Sequence, residues 1–307
     1  MSLVKALGEL TSKQARLSTG LLSELSCLTA EEMREFSVAW ASASAERRGK
    51  VLRQLAELAE DTVELDFTAV YRHALADEND DVRVAAVVGL WECEERSLIS
   101  PLVGLLNDDP SELVRSAAAQ ALGRFALLTE VGKLLEIDRQ RIGDALLLVI
   151  DNEFETLDVR RRAIEAIAPM SHPRVPEIVQ EAYEHEDPKV RASALFAMGR
   201  TCDLRWLPVL IGALENEDPE LRYEAASGLG ELGEEDAVID LIPMIDDGDE
   251  LVQEAVLNAL GAIGGAAAKR ALLRVAEGDD PRATEIARNA QQSIEFEEDP
   301  LDLNPES

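Results

Sequence analysis

The side chains that invite a chemical reading are few and scattered. Gly228-Leu229-Gly230-Glu231-Leu232-Gly233 has the glycine spacing that lets backbone amides approach a pyrophosphate. That chemistry needs a strand before the glycines and a helix opening at them. Here the apolar spacing closes a helix instead, so the glycines are assigned to packing. His73, His172 and His185 lie in three different units, and only His185-Glu186 forms a His-Glu pair. They are expected to be exposed or capping side chains. The acidic run from Asp77 carries Val82 and Val88 where a calcium loop requires glycine and glutamate. Cys27, Cys93 and Cys202 are odd in number and lack Cys-x-x-Cys spacing, against both a disulfide framework and a thiolate metal site. No Gly-x-Ser-x-Gly elbow is present. No catalytic residue, metal or cofactor is expected, and the chain is expected not to be an enzyme.

Composition narrows the partners. The 307 residues include 61 acidic and 30 basic side chains, a formal charge of −31. Such a field repels phosphate backbones and anionic bilayers, so neither nucleic acid nor membrane is expected as a partner. No charged-then-apolar leader opens the chain, and no apolar run approaches the ~18 residues of a membrane span. Unpaired thiols suit a reducing compartment, and a cytoplasmic monomer is the expectation.

The elements that must position any site are set by a repeat. A motif of the form Asp-x-x-Val-Arg-x-x-Ala-x-x-Ala-Leu-Gly returns with its anchor at Arg160, Arg191, Arg222 and Gln253, each 31 residues after the last. Arg83 and Arg115 carry the same pattern, and the 45 residues from Arg115 to Arg160 imply an insertion, placed near 129–138. A fixed period of this length signals a solenoid of stacked hairpins. Within a unit the apolar spacing is helical, with an Asp-Pro punctuation at Asp187-Pro188, Asp218-Pro219 and Asp280-Pro281 that caps and starts the second helix. Gly199, Gly230 and Gly261 fall at the far end of that helix, for close contact or a left-handed exit. The expected organisation is an N-terminal helical cap over 1–65, started by a Thr29-to-Glu32 capping box, then six to seven repeats over 66–295 and a disordered acidic tail over 296–307.

The units DDVRVAAVVGLW, ELVRSAAAQALG, LDVRRRAIEAIA, PKVRASALFAMG, PELRYEAASGLG and ELVQEAVLNALG resemble the HEAT family, in particular the short HEAT-like repeats also seen in phycobilisome lyases. The resemblance implies an all-α, right-handed alpha-alpha superhelix of helical hairpins whose second helices line a concave surface. It also implies an arginine ladder of Arg83, Arg115, Arg160, Arg191 and Arg222, paired with nearby acids such as Asp187 and Asp218, with Gln253 a weaker rung. On that basis Arg191→Ala should lower the melting temperature more than Arg200→Ala. The family serves scaffolds, lyases and a metal-dependent hydroxylase alike, so its function is not fixed by its fold.

Helical phase at about 100° per residue separates a core set on each second helix from a set facing the concavity. The second set includes Val84, Val88 and Trp91, then Ser116 and Gln120, Arg161 and Glu165, Ala192 and Phe196, Tyr223 and Ser227, and Glu254 and Asn258. Trp91, Phe196 and Tyr223 are expected to be exposed there, with Arg124, Arg161 and Arg200 forming a locally less acidic strip that grips an acidic or helical segment. The resulting expectation is a non-catalytic scaffold or adaptor that binds a protein or peptide through Val88, Trp91, Arg124, Arg161, Phe196, Arg200 and Tyr223. The competing expectation is a bilin lyase-like or hydroxylase-like enzyme.

Overall fold

A computed structural model describes residues 2–12, 18–62 and 64–298. The described residues are helical, with no strand among them. They form two compact units, Met1–Ala163 and Ile164–Ser307.

In the first unit, α1 (Ser2–Thr11) and the single turn α2 (Thr19–Leu22) precede four hairpins or parts of hairpins. The pair α3 (Ala30–Ser42) and α4 (Ala45–Asp61) is followed by α5 (Thr68–Ala74) and α6 (Asp80–Gly89), then α7 (Ile99–Asp108) and α8 (Glu112–Glu130), then α9 (Glu136–Ile150) and the start of α10 (Leu157–Ile167). Thr29 and Glu32 make the capping box of α3, and the Ser44 hydroxyl accepts the Arg47 amide at the start of α4. Second helices pack on second helices: α4 lies on α6 and α6 on α8. The core between them is Val51, Leu52 and Leu55 of α4, Val82 and Ala86 of α6, and Val114, Ala118 and Leu122 of α8, all 2% exposed or less. The segment assigned to a cap thus contains a hairpin that stacks as the repeats do. Its α4 arginine, Arg48, sits 35 residues before Arg83 and carries a rung of its own.

The extra residues between Arg115 and Arg160 form no separate helix. They lengthen the two helices around the turn after Glu130: α8 has 19 residues and α9 has 15. Their counterparts in the second unit are shorter. α11 (Val175–Tyr183) has 9 residues, α12 (Pro188–Arg200) 13 and α14 (Pro219–Leu232) 14.

The second unit continues with α13 (Leu207–Ala213) before α14, then α15 (Val238–Leu241), α16 (Glu250–Ile263), α17 (Gly265–Ala276) and α18 (Pro281–Glu298). Here α12, α14, α16 and α18 form the inner row. Small residues set the spacing of that row: a Cβ added to Gly199 would lie 2.6 Å from the Gly228 Cα, and one on Gly261 2.8 Å from the Ala290 Cβ. Gly199, Gly230 and Gly261 therefore serve close contact. The left-handed exit falls to Gly233, at φ 70° after α14. Two non-glycine residues, Cys27 and Cys202, also have φ of 52°.

Two expectations are corrected here. Disorder was expected from residue 296, but α18 runs to Glu298, with Ile294 3% exposed as the last anchor of its packed face; residues 299–307 lie outside the described residues. Ala192, assigned to the open surface, is 5% exposed and buried. The close approach of α12 and α14 that the glycines allow broadens the covered arc of α12 beyond an ideal helical phase.

Candidate functional site: an apolar trough and an arginine ladder

The second helices carry two kinds of chemistry, an internal ladder at their N-terminal ends and an exposed face along their length. On the ladder, Arg83 gives Nε and Nη2 to the two carboxylate oxygens of Asp109, both at 2.8 Å, and Nη1 to the Asp77 carbonyl at 2.8 Å. Arg115 holds Glu155 in the same fork at 2.9 and 2.8 Å, with the Asp109 carbonyl as third acceptor at 2.7 Å. Arg222 holds Asp247 at 2.8 and 2.8 Å and donates to the Asn216 carbonyl. Arg48 reaches Asp77 at 2.9 Å and the Ala43 carbonyl at 2.9 Å. A planar fork matches a carboxylate in two parallel bonds, which is why arginine occupies these positions.

The acid of each rung also accepts a backbone amide of its own turn: Asp77 from Asn79, Asp109 from Ser111, Asp247 from Asp249. The hydrogen bond from Arg222, opposed in part by burial, draws the Asp247 carboxyl below its ordinary value. Burial alone would raise Glu155, but the bonds from Arg115 and Thr156 outweigh it and the net shift is downward.

The expected partners Asp187 and Asp218 are not rung acids. Each caps the following helix, accepting from the amides of Lys189 and Glu220. In this unit the turn positions two residues earlier, where Asp247 stands before its capping Asp249, are held by His185 and Asn216, which accept the Asp187 and Asp218 amides through Nδ1 and Oδ1. They keep the turn and lose the charge. Among the described residues Arg191 is accordingly without a carboxylate, and its Nε is buried with no hydrogen-bond partner. Arg160 turns its Nε to the Ile150 carbonyl at 3.2 Å. Gln253 keeps only the backbone bond, to the Asp247 carbonyl at 2.6 Å.

Along the exposed face of the first unit, α6, α7 and α8 enclose a trough of about 760 Å³. Its floor is Val87, Leu90, Leu98, Leu102 and Phe125, each 6% exposed or less. Val88 and Trp91 stand on its rim, 56% and 60% exposed, beside Gln120 and Arg124. Leu98 and Leu102 come from the loop and first helix of a repeat, which a reading confined to second helices passes over. In the second unit a more polar groove of about 460 Å³ gathers Tyr223, Ser227, Glu231, Glu254 and Asn258 from α14 and α16. Phe196 and Tyr223 are each 38% exposed, and Phe196 does not line that groove.

The expected cationic strip is overturned by pairing. Arg124 donates to Glu94 at 3.2 Å and to the Trp91 carbonyl; Arg161 holds Asp158 at 2.7 Å; Arg200 lies 3.4 Å from Glu231. Each is neutralised by its neighbours, and none stands as a cation offered to an acidic ligand.

Of the histidines, His172 accepts the Arg174 amide and His185 a turn amide. His73 packs edge-on to Phe36 and Trp40, and burial, opposed by nearby Asp77, holds its imidazole below the ordinary value. Among the described residues no group of three or more His, Cys, Asp or Glu is placed to hold a metal, and no helix is long and apolar enough to cross a membrane.

Helical pairs in register, with a fork from one second helix closing on the turn of the next pair, define an all-α repeat protein. The HEAT-repeat family model matches residues 36–123, 68–138, 144–218 and 207–292, and the chain belongs to the HEAT-repeat family. No curated protein matches it by sequence. Similar solved structures include YibA of E. coli (18% identity, 82% of this chain and 97% of that one, TM-score 0.44) and the CpcE–CpcF complex of phycocyanin lyase from Nostoc sp. PCC7120 (20%, 64% and 76%, 0.45). Human deoxyhypusine hydroxylase is a third (19% identity, 96% of each chain, 0.39). At these identities the likeness concerns fold alone, and fold does not choose between binding and catalysis.

Proposed function

We propose that the chain is a non-catalytic adaptor that takes a polypeptide on the exposed face of its second helices. The observation that carries this reading is the trough on α6, α7 and α8, where exposed Val88 and Trp91 stand over an apolar floor. A rim tryptophan beside aliphatic side chains is the composition of an interface anchor, which desolvates a large area at small rotamer cost. The polar groove around Tyr223 and Asn258 offers a second surface of the same kind in the other unit.

The test is selection of binders from a displayed random-peptide library against the full chain, followed by affinity measurement with Val88→Asp and Trp91→Ala. Recovered peptides are expected to lose at least about tenfold in affinity against either variant, equivalent to about 1.4 kcal/mol. Both positions are exposed, so the melting temperatures of the variants should stay close to that of the parent. Selections that yield no peptide sensitive to these changes would sink the proposal, as would a bound chromophore or catalytic metal in protein purified from its own source.

A further inference from the structure

Resting on that reading of the trough, we infer that its occupant is an α-helix with one apolar stripe and a basic flank. The walls decide the first half. Along α6, α7 and α8 the backbone groups are bonded within the helices, in the turn after α6 the Leu90 carbonyl accepts the Cys93 amide and the Trp91 carbonyl accepts Arg124, and the polar side chains lining the trough are those of Gln120, Arg124 and Glu92. An extended segment laid there would bury its own N–H and C=O groups with nothing to meet them, whereas a helix arrives with its backbone bonds made. The inserted turn of α8 lengthens the surface: Leu127 and Val131, three and seven residues past Arg124, are 37% and 60% exposed. From Ala117 to Val131 this stripe is roughly 21 Å long at 1.5 Å per residue, the length of a four-turn helix.

The rim charges decide the second half. Its cations are spent, since Arg124 and Lys133 both hold Glu94, at 3.2 and 3.1 Å. Asp81, seven residues before Val88 on α6, and Glu92, next to Trp91, are exposed and have no ion-pair partner among the described residues. A flank of lysine or arginine meets these two carboxylates and the field of a −31 chain together. The same field opposes a second copy of the chain as occupant.

The full chain is titrated with three synthetic peptides of equal length: an amphipathic helix with lysine flanks, the same apolar stripe with glutamate flanks, and a scrambled lysine peptide without a stripe. The readout is tryptophan emission, because Trp40 and Trp206 are 4% and 3% exposed and Trp91 is the tryptophan open to solvent. The lysine helix should shift that emission to the blue and bind at least tenfold more tightly than the glutamate helix. Asp81→Lys with Glu92→Lys should weaken it at least tenfold, and Val88→Asp should abolish the shift. Equal affinity for the two amphipathic helices overturns the basic flank while leaving polypeptide binding standing. Equal binding of the scrambled peptide, or binding indifferent to Val88→Asp, overturns the inference entirely, as does a concentration-dependent dimer that Val88→Asp dissolves. If none of the three peptides binds while display selections return trough-dependent peptides, the helix is wrong and the adaptor is not.

Discussion

A guanidinium that closes on a carboxylate of the next turn and a carbonyl of its own acts as two tethers, and the cost of losing it depends on what it leaves behind. Arg83 and Asp109 are each 8% exposed. Removing the cation strands a buried carboxylate, so Arg83→Ala should cost about 3 kcal/mol in chemical denaturation, the range measured when one partner of a buried pair is deleted. Arg191 has no such carboxylate, so Arg191→Ala should cost less than Arg222→Ala. The converse change, Asn216→Asp, supplies the missing acid and should raise the melting temperature by on the order of 2–4 °C for each kcal/mol gained, read by calorimetry. The Asp247 carboxyl lies below its unfolded value of 3.8 because Arg222 holds it. A depressed folded value means that this contribution is fully present above the unfolded value and is lost as pH falls through the folded one. Arg222→Ala should therefore narrow the stability gap between pH 7 and pH 3, measured by urea titration at both. Arg83, Arg115 and Arg222 were legible as ladder residues through the resemblance to HEAT repeats, whereas Arg48, 35 residues before Arg83, was not. The rung acids were not, because the capping aspartate and the rung position lie two residues apart in the same turn and repeat with the same period.

At the scale of helices, periodicity carries the fold a long way. One helical phase predicts both the buried Val82, Val114 and Leu221 and the exposed Val88, Trp91 and Tyr223. What phase does not report is how near the next helix comes. Gly199 faces the Gly228 backbone, and backbone cannot move aside as a side chain can, so Gly199→Val should destabilise by about 1–3 kcal/mol through overpacking. Gly212, on α13, has nothing within 4 Å of an added Cβ. Gly212→Ala should be neutral or stabilise by up to about 1 kcal/mol, by helix propensity alone. Comparing the two melts separates glycine used for contact from glycine merely present. The insertion was equally opaque from spacing: an excess of residues does not reveal whether it makes a loop, a helix or, as here, longer neighbours.

Over the whole molecule, net charge exerts an influence that no single contact shows. A surplus of 31 negative charges repels itself, and salt screens that repulsion within about 10 Å at 0.1 M. Raising sodium chloride from low to moderate concentration should raise the melting temperature, and a fall would mean that the ion-pair ladder outweighs the excess charge. The fold class was readable because every repeat restates it, whereas the trough joins a first helix to two second helices and depends on side chains that the repeat motif does not specify. In an array where each hairpin is held mainly by its neighbours, stability is a chain of links rather than a single quantity. The turn at Asn216 is a link without its charge, between the hairpin of α11 and α12 and that of α13 and α14. Loss of that charge should make it a weaker link than the Arg222–Asp247 rung, so amide exchange on its two sides is expected to proceed at different rates well below the global melt.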